Sequence, residues 1–330
     1  MRVLLQVCVL ELILSAYFFQ KRSEHPLAIV HYIAQIHERL TATSNLEAIG
    51  IYREDLEFGY RHLPNSRGNH RSRSFSVTYT IGGEGERAIP SPVDPLGRIL
   101  FLGSSYTFGF GVDDRENYPY LLATEHWQGW QVLNKAVNGW GTVHAHMLLE
   151  EELKGPSPPA LAIYNSVPDH VCRNYLRPAW LKMLALSHQA HPHFELSAGR
   201  PIFRGLATVK DAVQDEAEVR LKELDLTAAF ISSMHRQAMK RNVGFIVVLL
   251  PQRFEVACGP VAWPPSLIRA LTEQGVSILD LSEIKGQMTW LEHDAHPDRG
   301  GHRVLASAMA ESFVSDTLRS LAPAPAEAKN

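Results

Sequence analysis

The stretch "RILFLGSSYTFGFGV", Arg98 to Val112, opens as an apolar run and breaks at Gly103 into two serines, then aromatics and glycines. A buried strand that ends in adjacent serines has two readings. One is a loop that ends the strand, with serine as a helix N-cap. The other is a nucleophile held at the mouth of a sheet. There the turn exposes a hydroxyl, and the first N–H groups of the next helix can face the same spot. The rest of the chain decides between them.

Four further strand-length apolar runs follow: "QVLNKAV" (131–137), "ALAIYN" (160–165), "GFIVVLL" (244–250) and "VSILDL" (276–281). Helical segments lie between and after them. They include "NYPYLLATEH" (117–126), a charged stretch near 208–242, "SLIRALTEQG" (266–275) and a final helix over 302–321. Near-continuous apolar strands alternating with helices predict an α/β domain, with a parallel five-stranded sheet covered on both faces. Ligands of such open sheets bind beyond the carboxyl ends of the strands. Ser104 and Ser105 follow the first strand, Asn138 and Gly139 the second, and Asn165 to His170 the third; "HDAHPDRGGH" (293–302) follows the fifth. Four polar or glycine-rich turns thus converge on one edge.

The chain before the sheet is less regular. "VLLQVCVLELILSAYFF" (3–19) is mostly apolar but carries Gln6 and Glu11, and bulky residues follow it. It reads as an uncleaved membrane anchor or signal-like helix over 1–22, the alternative being an amphipathic helix packed on the body. An accessory region spans 23–95, with helical spacing at 25–40, a strand in "SFSVTYTIGG" (74–83) and a proline-rich linker at 89–97. The main domain spans 96–319, with an irregular insertion at 171–207, and a disordered tail fills 320–330.

With 330 residues, 45% hydrophobic content and a net charge of −3, nothing global points to nucleic acid. The basic run at 61–73 reads as a solvated loop. Three cysteines make no disulfide framework, although a single Cys172–Cys258 bridge is compatible with an exported body. "GGEGERAIP" (82–90) lacks the Lys-Ser/Thr of a phosphate-binding loop, and no cofactor is implied.

"ILFLGSSYTFGFGV", "VLNKAVNGWGT", "IYNSVPDHVCRN" and "DAHPDRGGHRVLA" resemble, in order, the four blocks of the SGNH (GDSL-type) hydrolases. The resemblance covers about 98–318 and extends to bacterial membrane-anchored or secreted members. It implies a flavodoxin-like three-layer α/β/α fold with a small N-terminal β-containing region, and a Ser–His–Asp esterase mechanism. Ser105 matches the family nucleophile, and Ser104 stands where the family usually has Asp. His296 matches the base and Asp294 its orienting carboxylate, in a D-x-H-P spacing rather than the commoner D-x-x-H. A metal reading of His293, His296 and His302 finds no HExxH or cysteine pair beside it. Gly139 matches the oxyanion-hole glycine.

The third block departs from the pattern, with Asp169-His170 where the family has Asn-Asp. An ionised Asp169 repels an oxyanion. Protonating it at pH 7 requires about three pKa units, roughly 4 kcal/mol, against the ~2.7–4 kcal/mol that one oxyanion donor is worth. Asp169 is therefore expected to pair with His170 or Arg173. The hole then rests on the N–H groups of Ser105 and Gly139, with His170 or Asn165 as further candidates. The implied substrate is a small-molecule or polysaccharide ester. An O-acyltransferase and a non-hydrolytic glycan-binding module are the alternatives on the same fold. The body is expected to be extracytoplasmic and held to the membrane by its N-terminal segment.

Overall fold

The structure, a computed structural model, describes residues 49–185, 190–253 and 262–322. Two antiparallel hairpins come first: β1 (Tyr52–Asp55) with β2 (Gly59–His62), and β3 (Arg67–Arg71) with β4 (Ser76–Thr80). The main body follows as β5 (Arg98–Leu102), α1 (Ser105–Phe108), α2 (Tyr118–Leu121, continued by a π-helical turn to His126), β6 (Gln131–Asn134) and α3 (Thr142–Lys154). Next come β7 (Leu161–Ser166), a 3-10 turn (Pro168–Arg173), α4 (Pro178–Ala185) and a hairpin of β8 (His191–Ser197) with β9 (Arg200–Ala207). The chain continues through α5 (Glu216–Lys240), β10 (Gly244–Leu249), α6 (Pro265–Glu273) and β11 (Ser277–Asp280). It closes with α7 (Arg299–Ala310) and α8 (Phe313–Leu321).

Among the described residues, the central sheet has five strands in the order β11-β10-β7-β5-β6, every pairing parallel. Successive side chains on a strand point to opposite faces, and here both faces are buried. Leu100 and Leu102, Ala162 and Tyr164, and Val247 and Leu249 join one core with Leu149 of α3 and Met234 of α5. Ile99 and Phe101, Leu161 and Ile163, and Ile246 and Val248 join the other with Leu122, Leu305 of α7 and Leu318 of α8. The three inner strands β5, β7 and β10 read as unbroken apolar runs because neither face meets water, while the edge strand β11 is half-buried.

Strand order reverses direction between β5 and β7, so their carboxyl ends flank the crevice where such sheets bind ligands. The outer edge of β6 is covered from the N-terminal side, where Arg87 N–H donates to Asn134 O at 2.8 Å. The β3–β4 hairpin packs Val77 and Tyr79 on Phe108 of α1 and on Ala136 just past β6.

The reading at 171–207 needs correction. That stretch holds α4 and a hairpin whose Phe194 and Ala207 pack against Phe230 of α5. Its His- and Pro-rich composition hides the alternation, which a bulge between His193 and Phe194 also interrupts. The single final helix is in fact two, divided where the Ser312 hydroxyl accepts from Val314 N–H. Strand β6 stops at Asn134, three residues short, although Lys135 and Val137 still donate to Phe101 O and Gly103 O. The segments read as an anchor (3–19) and a helix (25–40), and tail residues 323–330, lie outside the described residues. Among the described residues no helix is long and apolar enough to cross a membrane.

Burial of histidines sets a pH limit on this fold. Desolvation lowers His62, His70 and His146 from the ordinary 6.5 to about 4, and His191 and His302 to about 3. The folded state keeps these rings neutral while the unfolded chain protonates them, so stability is lost as pH falls through 6.5 towards 4. Each such group contributes at most ~1.4 kcal/mol per pH unit in that window. The melting temperature should drop steadily from pH 7.5 to pH 5 in a thermal-denaturation series; a flat profile contradicts this account.

Candidate active site

Ser105 is the first residue of α1, directly beyond the carboxyl end of β5. Its Oγ lies 2.7 Å from His296 Nε2, and His296 Nδ1 lies 2.5 Å from Asp294 Oδ1. The same Asp294 oxygen accepts the backbone N–H of His296 at 2.9 Å. The two-residue spacing works because the loop closes on itself: Leu291 N–H donates to His296 O, and Asp294 N–H to Leu291 O. Asp298 then caps α7, accepting from the N–H groups of Gly300 and Gly301. A side chain at Gly301 would meet Thr289 O at 2.3 Å, so the loop and helix approach only through glycine.

Three groups that the sequence reading did not single out hold this loop over Ser105. Tyr106 OH donates to Ala295 O at 2.7 Å, tying the loop to α1. Arg253 Nη1 donates to Leu291 O and Asp294 O. The Phe110 ring packs 4.5 Å from the His296 ring, centroid to centroid. A fourth, the fully buried Arg87, donates to Phe108 O, Gly109 O and Val112 O and pairs with Asp114, which fixes the carboxyl end of α1. A signal for Arg253 was present. "PQR" (251–253) follows the fourth sheet strand, the one carboxyl end omitted from the convergence of turns. Arg87 and Tyr106 carried no comparable mark.

Gly139 sits in the turn after β6, which Val137 N–H joins to Gly103 O at the head of the first turn. Its φ is +81°, a region that favours glycine. Among the described residues, neither Ser105 N–H nor Gly139 N–H donates to a protein acceptor.

The third turn is occupied differently. Asp169, buried at 1% exposure, accepts from Gln252 Nε2, while its own N–H donates to Gln252 Oε1. Its carboxylate stands 3.6 Å from the Arg173 guanidinium, which also donates to Trp140 O. His170 turns to Ser104, with Nε2 and Oγ 2.7 Å apart, and its Nδ1 meets Tyr164 OH and Ser166 Oγ. Burial first, and the Arg173 charge second, hold His170 well below its ordinary pKa, so the ring is neutral. Ser104 therefore leaves the N-cap bond of α1 unmade and bridges the first turn to the third. Asn165 donates its amide to Leu102 O and Ile163 O, inside the sheet.

His302 accepts Tyr118 N–H and His293 pairs with Glu292 on the surface, so neither joins His296. Among the described residues no group of three His, Cys, Asp or Glu side chains is placed to hold a metal ion.

No family model matches the chain, and no curated protein does. Solved structures do. A member of the lipolytic G-D-S-L family from Veillonella parvula aligns over 66% of this chain and 98% of its own, at 12% identity and a TM-score of 0.40. The psychrotrophic esterase EstA from Pseudoalteromonas aligns over 67% and 98%, at 10% identity and 0.40. The native aryl esterase of M. smegmatis aligns over 68% and 99%, at 14% identity and 0.40.

Asp169 ties the third turn to Gln252 and faces Arg173. Asp169→Asn can keep both bonds to Gln252 and removes the charge facing Arg173. It should lower stability by about 1–3 kcal/mol and leave turnover within a few-fold, read from urea unfolding and ester hydrolysis. A ten-fold loss of turnover in folded protein would show that the carboxylate itself is required.

Proposed function

We propose that this protein is a serine esterase of the SGNH type, acting through an acyl-serine intermediate. The observation that carries the reading is the unbroken chain from Ser105 Oγ through the His296 ring to Asp294. A serine hydroxyl is a poor nucleophile until a base takes its proton. Ser105 Oγ attacks the ester carbonyl carbon while His296 Nε2 accepts the proton. Asp294 holds Nδ1–H, sets the tautomer and stabilises the imidazolium. The carbonyl oxygen becomes an oxyanion and accepts from Ser105 N–H and Gly139 N–H. Collapse expels the alcohol, which takes the proton from His296 Nε2, and leaves the acyl group on Ser105. Water, deprotonated by the same nitrogen, then releases the acid and restores the hydroxyl.

For the substrate we favour an O-acyl ester of a carbohydrate. The part-buried rings of Phe75, Phe110 and Trp290 surround the His296 loop, and aromatic faces suit the apolar face of a sugar. An extracytoplasmic body is favoured by Cys172, which is disulfide-bonded in the third turn, a state that persists in oxidising compartments. The N-terminal segment remains our candidate for its membrane attachment.

A fluorophosphonate probe should label the wild-type protein and fail to label Ser105→Ala. On p-nitrophenyl acetate that variant should lose at least about a thousand-fold in kcat/KM. Folded wild-type protein that neither reacts with the probe nor hydrolyses the ester would overturn the reading. Turnover that depends on an added sugar acceptor would make the enzyme a transferase with the same first half-reaction.

A further inference from the structure

Gly139 N–H does not stand alone. It belongs to the peptide unit that also carries the carbonyl of Asn138, and that carbonyl accepts a hydrogen bond from the hydroxyl of Tyr60 at 2.7 Å, in a buried setting. Tyr60 lies 78 positions earlier, on β2, outside the region that resembles the hydrolase blocks.

From this arrangement we infer that Tyr60 is a positioning residue of the oxyanion hole. It acts through the 138–139 peptide, and the hairpins of residues 52–80 are part of the working enzyme. The inference rests on the esterase reading above. Three observations combine. First, the 138–139 peptide is trans, as no cis bond occurs among the described residues. In a planar trans peptide the C=O and N–H point in opposite directions. A donor that pins the oxygen therefore fixes where the N–H aims, on the far side of the plane. Second, hydrogen bonds in series polarise one another. Tyr60 draws electron density towards Asn138 O and makes Gly139 N–H a stronger donor. Third, the approach is too close for any side chain: a Cβ at Gly139 would stand 2.5 Å from Tyr60 OH. Glycine at 139 is thus required twice, by its φ of +81° and by the tyrosine.

The tyrosine is itself held. Trp140 Nε1 donates to Tyr60 O at 3.3 Å. The Asn138 side chain is fixed from the other hairpin strand, its amide donating to Tyr52 OH at 2.7 Å. Two tyrosines, one on β1 and one on β2, therefore grip Asn138 at its amide and its carbonyl. A turn at the mouth of the sheet, otherwise free to rotate a peptide plane, is locked before substrate arrives. Preorganised donors of this kind stabilise developing charge without rearranging during the reaction.

The test is Tyr60→Phe, which removes the hydroxyl and keeps the ring. On p-nitrophenyl acetate we expect kcat to fall about ten-fold, a fraction of what losing a direct donor costs. KM should stay within about two-fold, because the ground-state carbonyl makes little demand on the hole. Inhibition by a trifluoromethyl ketone, which forms a tetrahedral oxyanion adduct on serine, should weaken by the same factor as kcat. The pH profile of kcat/KM should not move. A graded set of fluorotyrosines at position 60 preserves the shape if phenylalanine disturbs folding, and kcat should rise as the phenol becomes a better donor. Flat kcat across that set, or Tyr60→Phe with unchanged kcat and ketone inhibition, overturns the inference and leaves the triad standing. Wild-type protein inert to both ester and fluorophosphonate overturns the triad reading and this inference together.

Discussion

One contact joins parts of the chain 191 positions apart: the approach of His296 Nε2 to Ser105 Oγ. Either partner is ordinary by itself. A serine at the start of a short helix usually caps it, and a histidine on a loop usually faces water. Their meeting requires the carboxyl end of β5 and the loop before α7 to be brought over the same rim. The sheet supplies the first by placing β5 between β7 and β6, at the reversal of strand order. Tyr106, Arg253 and the glycine-tight junction with α7 supply the second. The His296 and Asp294 side chains are part-buried, at 18% and 14% exposure, which limits the competition of water for their pairing.

The third turn shows how a departure from a pattern can be absorbed. A carboxylate near a developing oxyanion would oppose it. Here Asp169 instead faces Gln252 and Arg173. His170, beside it, reaches back to Ser104, the other residue that differs from the usual signature. The two changes touch each other. A neutral imidazole and a hydroxyl make one short contact between the first and third turns, so the turns are held together without a charge in the site. Tyr164, Thr142, Asn174 and Thr227 continue this bonding inward. Buried networks of this sort are stable only when their members are satisfied, which makes the third turn rigid rather than adaptable.

The sheet was legible because its physics is local. Five runs of apolar residues, interrupted by glycine and polar turns, leave little alternative to a parallel sheet buried on both sides. The edge where Ser105, Gly139, Asp169 and His296 gather follows from strand direction alone. Less was legible where contact, not periodicity, does the specifying. The β8–β9 hairpin is stabilised by Phe194 resting on a helix, a relation no spacing rule contains. Arg87 looks like one charge in a polar loop, yet it is fully buried and holds the carboxyl end of α1, the helix that begins at Ser105. Tyr60 stands immediately before the basic run at 61–73, in a stretch without a strand-like pattern, and its partner lies in the turn after β6. In each case the deciding neighbour is distant in sequence.

The central claim is that Ser105, His296 and Asp294, with the two backbone donors at Ser105 and Gly139, form one acyl-transfer centre. A crystal structure of the protein after reaction with a fluorophosphonate measures this most directly. The account predicts phosphorus bonded to Ser105 Oγ, with one phosphonyl oxygen within hydrogen-bonding distance, about 2.7–3.2 Å, of both Ser105 N and Gly139 N. His296 Nε2 should turn to the ester oxygen. A phosphonyl oxygen pointing away from Gly139, or an adduct on any other residue, would contradict it.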